Sequence, residues 1–424
     1  MRRRLLQSLT PDMSPLRESR DYRLLITGTV ITGLGTQAAL VALPYQVYVE
    51  SHEPVLVGLL GLVELVPLVA ASLFGGAWAD RVDRRKLLLV IQIALVGVAS
   101  GLAAAAFVGQ PPIWLLYVLA GALAGAGAFE RVTRSSIVPN VVRPEALRAA
   151  VATTYGLNQV TMVVGPAIGG LMIAALGVGS AYTADAVSCF GMVFAAALMS
   201  AQRPYGVEEH EPVLRSIGVG LRFVSRERAL LGSFAIDLLA MTFGMPRALF
   251  AVLSLSVFHA GAAGTGALYA AVAFGATVAA LTTGWLGNAR YLGRIVIGAV
   301  LAWGAAIALA GLTTSFALAV LLFAVAGAAD SVSAVCRSTI SQTLTPDHMR
   351  GRMSSVFMLV VAGGPRLGDA ESGTVASLSS TRFSVVSGGV ACMAGVGLIV
   401  LLFPQLAGYD GDAVGAGKAA TSAA

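Results

Sequence analysis

The chain has 424 residues, of which 57% are apolar and 12% charged, and its mean hydropathy is +0.81. Soluble domains carry about 25% charge, so this composition excludes a soluble enzyme, and the short polar segments leave no room for a large aqueous sensor or catalytic module. The net charge of +6 would suggest nucleic acid in a soluble chain; in a lipid-embedded one it is a statement of topology.

The N-terminal tail, 1–22, opens on Arg2-Arg3-Arg4, but Pro11, Asp12, Pro15, Glu18 and Asp21 interrupt any cleavable apolar core. A retained, cytoplasmic N-terminus is therefore expected. A spanning helix takes roughly 20 apolar residues, and stretches of that length run over 24–49, 55–79, 87–108, 113–133, 147–176 and 181–199. After a polar linker, 201–228, further stretches run over 229–257, 266–286, 295–312, 316–335, 353–378 and 385–403, followed by a tail, 404–424. The expectation is an all-α integral membrane protein of twelve spans, with bundles at 23–200 and 229–403 and both termini on one side. Most of the 28 basic residues fall in the tails, the linker and the loops of that side; only Arg382 lies in an outer loop, and Arg247 and Arg366 lie within spans. The positive-inside bias makes that side the cytoplasm.

The two halves repeat. Ser136 to Arg148, after span four, shares Ser, Pro, an acid, an aliphatic residue and Arg in register with Ser338 to Arg350, after span ten, and Ala126-Gly127-Ala128-Phe129-Glu130 is answered by Ala326-Gly327-Ala328-Ala329-Asp330. Duplication of a six-helix unit in parallel orientation is the plan of one large transporter class.

After span two comes Gly75-Gly76-Ala77-Trp78-Ala79-Asp80-Arg81-Val82-Asp83-Arg84-Arg85-Lys86. This is either a solvated basic turn or a latch in which arginines hydrogen-bond the carbonyl ends of neighbouring helices. Here the sequence resembles the major facilitator superfamily, whose loop at this place reads Gly-x-x-x-Asp-Arg-x-Gly-Arg-Arg; Gly76, Asp80, Arg81, Arg84 and Arg85 match, and Asp83 stands where the last glycine would be. In the second half the counterpart is eroded to Gly284-Trp285-Leu286-Gly287-Asn288, without the acid. In span five, Gly156 precedes Gly165-Pro166-Ala167-Ile168-Gly169-Gly170. Small residues at this spacing let helices pack closely; the stretch is also similar to the Gly-Pro-x-x-Gly-Gly motif of exporters in that superfamily. A narrower resemblance, to exporters of the enterobactin type, rests on residues 237–250 and the Ser-x-x-x-Pro corner after span four. The resemblance implies the major facilitator fold and proton-coupled export.

Charges inside spans are the remaining candidates, because an ionised group at mid-membrane costs about 3 kcal/mol even on lenient scales. Glu64 and Asp237 are each either a neutral acid hydrogen-bonded in the bundle or a proton- or substrate-contacting group. Arg247, about 15 Å beyond Asp237 along a helix, is too far to pair with it and is either a snorkelling arginine or an anchor for an anionic substrate. Arg366 and Asp369, three positions apart, lie on one helix face and are expected to pair. Glu130 and Asp330 are expected in gating pairs with Arg131, Arg134 or Arg337, and Asp185 is expected near headgroup depth. The histidines lie outside the spans, which argues against a histidine relay.

Three scattered cysteines offer no disulfide framework or metal box. No metalloprotease, serine-hydrolase or phosphate-loop motif occurs, so neither an enzyme nor an ATP-driven pump is expected. No cofactor and no metal are expected, the proton gradient supplying the energy. The sequence-level reading is an inner-membrane, monomeric, proton-coupled exporter of a small molecule such as a siderophore, drug or secondary metabolite, working in the lipid bilayer without nucleic acid. A proton-coupled nutrient importer and a non-transporting sensor or scaffold are the alternatives.

Overall fold

The computed structural model describes residues 14–79, 81–203, 213–346 and 349–410. Regular structure among them is helical: α1 Arg20–Ser51, α2 Pro54–Ala79, α3 Arg84–Val108, α4 Ile113–Val141, α5 Leu147–Leu176 and α6 Val178–Leu198 in the first half. The second half holds α7 Val213–Arg226, α8 Arg228–Phe243, α9 Leu249–Val252, α10 Gly261–Thr282, α11 Leu292–Leu312, α12 Phe316–Leu344, α13 Arg350–Leu378 and α14 Thr381–Leu402. Ten helices among the described residues are long and apolar enough to cross a membrane. Large apolar side chains stand outward on them, Leu281 at 82% and Leu401 at 80% exposure. Such a surface is tolerable only against lipid, whereas the helices satisfy their own backbone groups internally.

The other two expected spans take a different form. The stretch 229–257 is not one helix: α8 stops at Phe243, residues 244–248 are irregular, and the chain resumes as α9, which runs on through a wide turn at Leu253–Val257. Gly244 closes α8 by donating to Ala240, and Pro246 supplies no N–H for a helical bond that would continue it. The stretch 353–378 lies in a continuous helix, α13, but Arg366, Asp369 and Glu371 make it far more polar than its neighbours. The linker also holds a helix, α7, whose buried face (Ile217, Gly220, Val224) packs toward α13.

The chain divides into two compact units, residues 1–46 with 66–209 and residues 47–65 with 210–424. The first half of α2 thus clusters with the second unit, whereas chain order alone places it in the first bundle. The first unit has a core of Tyr22, Leu25, Leu88, Ile137, Met192 and Met199; the Tyr22 hydroxyl donates to the Ala150 carbonyl at 2.8 Å, so that even this fully buried polar group is satisfied. In the second unit Phe250 meets Tyr269 and Phe323 edge-on, each with ring centroids 4.9 Å apart.

Candidate functional site

Two charge clusters lie inside the second unit. In one, Arg366 of α13 reaches Glu64 of α2, Nη2 to Oε2 at 2.9 Å. The expected Arg366–Asp369 pair does not form: the arginine extends across to the neighbouring helix, and Asp369 Oδ1 instead accepts from the Ala248 backbone N–H at 3.0 Å. That bond satisfies a donor freed by the break between α8 and α9. On the same irregular stretch the Arg247 carbonyl accepts from the Tyr269 hydroxyl at 3.1 Å. Arg247 is half-buried and is held at a helix interruption rather than on a continuous helix.

The second cluster is centred on Arg337 of α12, which is only 5% exposed. Its Nη2 lies 2.8 Å from Asp237 Oδ1 and 3.8 Å from Asp330 Oδ1, and its Nη1 donates to Ser333 at 3.2 Å. The two carboxyl contacts are ionic rather than aligned hydrogen bonds, and Nε has no partner. One guanidinium thus serves two acids, and with both ionised the group carries an excess negative charge in a medium where unpaired charge costs several kcal/mol. A small cavity lined by Ser233, Phe234, Asp237, Arg337, Ser341 and Phe357 adjoins it. Arg337, one of the partners expected for Asp330, meets that acid and also Asp237, and it is a buried cation on a helix that continues to Leu344, past the end of the apolar stretch at 335.

In the first unit Glu130 pairs with Arg134 at 2.9 Å, one turn on, and accepts from Gln92 at 3.3 Å. Gly76 lies in α2 and Arg81 in the turn that follows, whereas Asp80 lies outside the described residues. Asp83, the departure from the family pattern, caps α3: its Oδ1 accepts from the Arg85 N–H at 3.0 Å and the Gln202 N–H at 3.1 Å. Arg84 donates to the Ser136 carbonyl at 2.8 Å and to Asn140 at 3.3 Å. Arg85 donates to the Ala196 and Ala197 carbonyls near the end of α6, at 2.9 and 2.6 Å, where the helix dipole favours a cation. Arg131 lies on the exposed side of α4. Within the Gly-Pro motif, Gly165, Pro166, Gly169 and Gly170 are buried, and Gly165 and Gly169 let α5 lie directly against Gln37 and Ala38 of α1; Gly156 is exposed and packs against nothing. Asp185 is 1% exposed, enclosed inside the first unit. Among the described residues no group of His, Cys, Asp and Glu is arranged to hold a metal.

Ten helices long and apolar enough to cross a membrane make this a multi-pass membrane protein, and its relatives and structural neighbours make it a transporter of the major facilitator type rather than an enzyme. Residues 10–416 match the model of the transmembrane secretion effector family, and the chain belongs to that family. It is 29% identical over 400 residues to the enterobactin exporter EntS of Shigella boydii serotype 4 (strain Sb227), across 93% of this chain and 94% of that one. Its fold is similar to that of the nucleoside transporter NupG, with a TM-score of 0.69 at 13% identity over 91% of this chain and 98% of that one. A POT family transporter solved with 5-aminolevulinic acid gives a TM-score of 0.70 at 12% identity, over 92% and 97% of the two chains.

Proposed function

We propose that this transporter exports a small molecule from the cytoplasm across the inner membrane, as a monomer with both termini cytoplasmic, by alternating access driven by protons moving inward. The observation that carries the coupling is that the acids inside the second unit are engaged by arginines, Glu64 by Arg366 and Asp237 with Asp330 by Arg337. An ionised carboxylate held by its arginine accepts hydrogen bonds from the hydroxyl or amide groups of a cargo, and protonation removes that acceptor and releases the cargo. Loss of the proton restores the cargo site. Proton and substrate then compete for the same carboxylates, which is the exchange an antiporter requires. Export rather than import is supported by the relatives named as enterobactin exporters and by the buried Gly165-Pro166 and Gly169-Gly170 packing. A siderophore of comparable chemistry is the cargo class the relatives favour.

The reading is tested in everted membrane vesicles. Energised vesicles should accumulate the cargo and release protons on its addition, and Glu64→Gln and Asp237→Asn should each reduce proton-driven accumulation at least tenfold while leaving binding detectable. If both variants transport at parental rates, these carboxylates are not the carriers; accumulation only in right-side-out vesicles would make the protein an importer.

A further inference from the structure

The first unit contains a carboxyl that neither the motifs nor the charge pairs account for. Asp185 lies in α6 opposite Gly35 and Thr36 of α1. A side chain at Gly35 would collide with Ser188 and with the Asp185 Cα, so this glycine allows the two helices to touch, and the contact brings the Thr36 hydroxyl to Asp185 Oδ1 at 3.1 Å. That is the one strong donor Asp185 has. The neighbouring Ser188 hydroxyl is spent on the Asp185 backbone carbonyl at 2.7 Å, the Cys189 thiol is 4.0 Å from Oδ1, and Oδ2 is sealed from solvent without a partner.

The groups facing Asp185 offer no compensation. α1 presents Thr36 and α6 presents Cys189, while Gln92 of α3 donates to Glu130. The charged group acting on it is Glu130 of α4, of like sign and itself paired with Arg134. An ionised Asp185 would be a buried anion with one hydrogen bond and no cation, a state that costs several kcal/mol. The neutral acid leaves at most one hydroxyl short of an acceptor, about 1–3 kcal/mol.

We propose that Asp185 is a proton-binding site of the first unit, held as the undissociated acid while α1 and α6 are in contact at Gly35 and releasing its proton when that contact opens to water. It would add a proton-exchanging centre to those of the second unit and so rests, for its role in transport, on the proton-driven reading above; its protonation does not.

The test is infrared spectroscopy of the full-length protein in liposomes of phosphatidylethanolamine and phosphatidylglycerol, titrated with acid and, separately, with sodium at constant pH. At neutral pH the parent protein should show the C=O stretch of an undissociated carboxylic acid that is lost in Asp185→Asn and shifted in frequency in Thr36→Val, which keeps the carboxyl and removes its donor. The second variant carries the result should the first fail to fold. A parental spectrum at neutral pH identical to that of Asp185→Asn, no shift in Thr36→Val, or loss of the band on adding sodium would each overturn the assignment. The band present in a protein whose energised vesicles move no cargo would leave Asp185 a proton site and remove the exporter reading instead.

Discussion

In the turn before α3, Arg85 reaches the carbonyls of Ala196 and Ala197 near the end of α6; in the corresponding turn before α11, Arg294 reaches the carbonyl of Ala407 just beyond α14, at 3.3 Å. The two corners are related by the duplication, and in each an arginine at the start of the third helix of a bundle closes off the end of the sixth. The rest differs. The first corner has an acid at the cap, Asp83, and a second arginine, Arg84, that donates to α4. In the second corner Arg290 pairs with Asp410 at 2.7 Å, and Tyr291 lies beneath both arginines, 4.5 Å from Arg294 and 5.3 Å from Arg290. Judged by its letters the second copy is eroded; judged by its contacts it has exchanged a backbone-capping acid for a stacked aromatic ring and a carboxylate from the C-terminal segment. Duplication preserves the physical task at a site longer than it preserves the residues that perform it.

The comparison has measurable content. Arg85→Ala removes two charge-assisted bonds from a partly buried site and should destabilise the first bundle by about 2–3 kcal/mol, read as a lowered melting midpoint in detergent and reduced membrane yield. Equal losses for Arg85→Ala and Arg294→Ala would show that the second corner is as tight as the first. Asp83→Ala deletes the cap of α3 and should cost about 1 kcal/mol, with Asp83→Asn, whose Oδ1 can accept the same bonds, retaining most of the stability; no variant in the 284–288 stretch should reproduce this. Smallest is Tyr291→Ala, expected at about 0.5–1 kcal/mol from the exposed ring–guanidinium contact. A double-mutant cycle with Arg294→Ala isolates that coupling, and additive effects would remove the stacking from the account.

Much of the architecture was legible because hydropathy and charge bias report directly on lipid burial. Local contacts were legible too: Glu130 with Arg134 follows from i,i+4 spacing, and the arginine fork after α2 from its order. Contacts between helices were not. Nothing in the neighbourhood of Arg366 in the chain indicates Glu64, three hundred positions earlier, so the nearer Asp369 was the natural partner to expect. Arg337 is legible as a partner for Asp330 but not for Asp237, because an apolar window ends where apolar residues end, while a helix ends where its backbone bonds do. The interruption at 244–248 stood in plain view as Gly244 and Pro246, but averaging over a span dissolves two residues among twenty. The burial of Asp185 is not legible either, because the contact at Gly35 that encloses it depends on the packing of α1 against α6.

The gap between α8 and α9 changes what a push on this part of the molecule can do. A rigid rod tilts as a whole, so displacement at one end reappears at the other. Here the rod is jointed, and the joint is pinned by Asp369 and Tyr269 from two other helices. Arg247, mounted on the joint, keeps its direction for as long as those two bonds hold, and re-aiming it requires breaking them rather than tilting either limb.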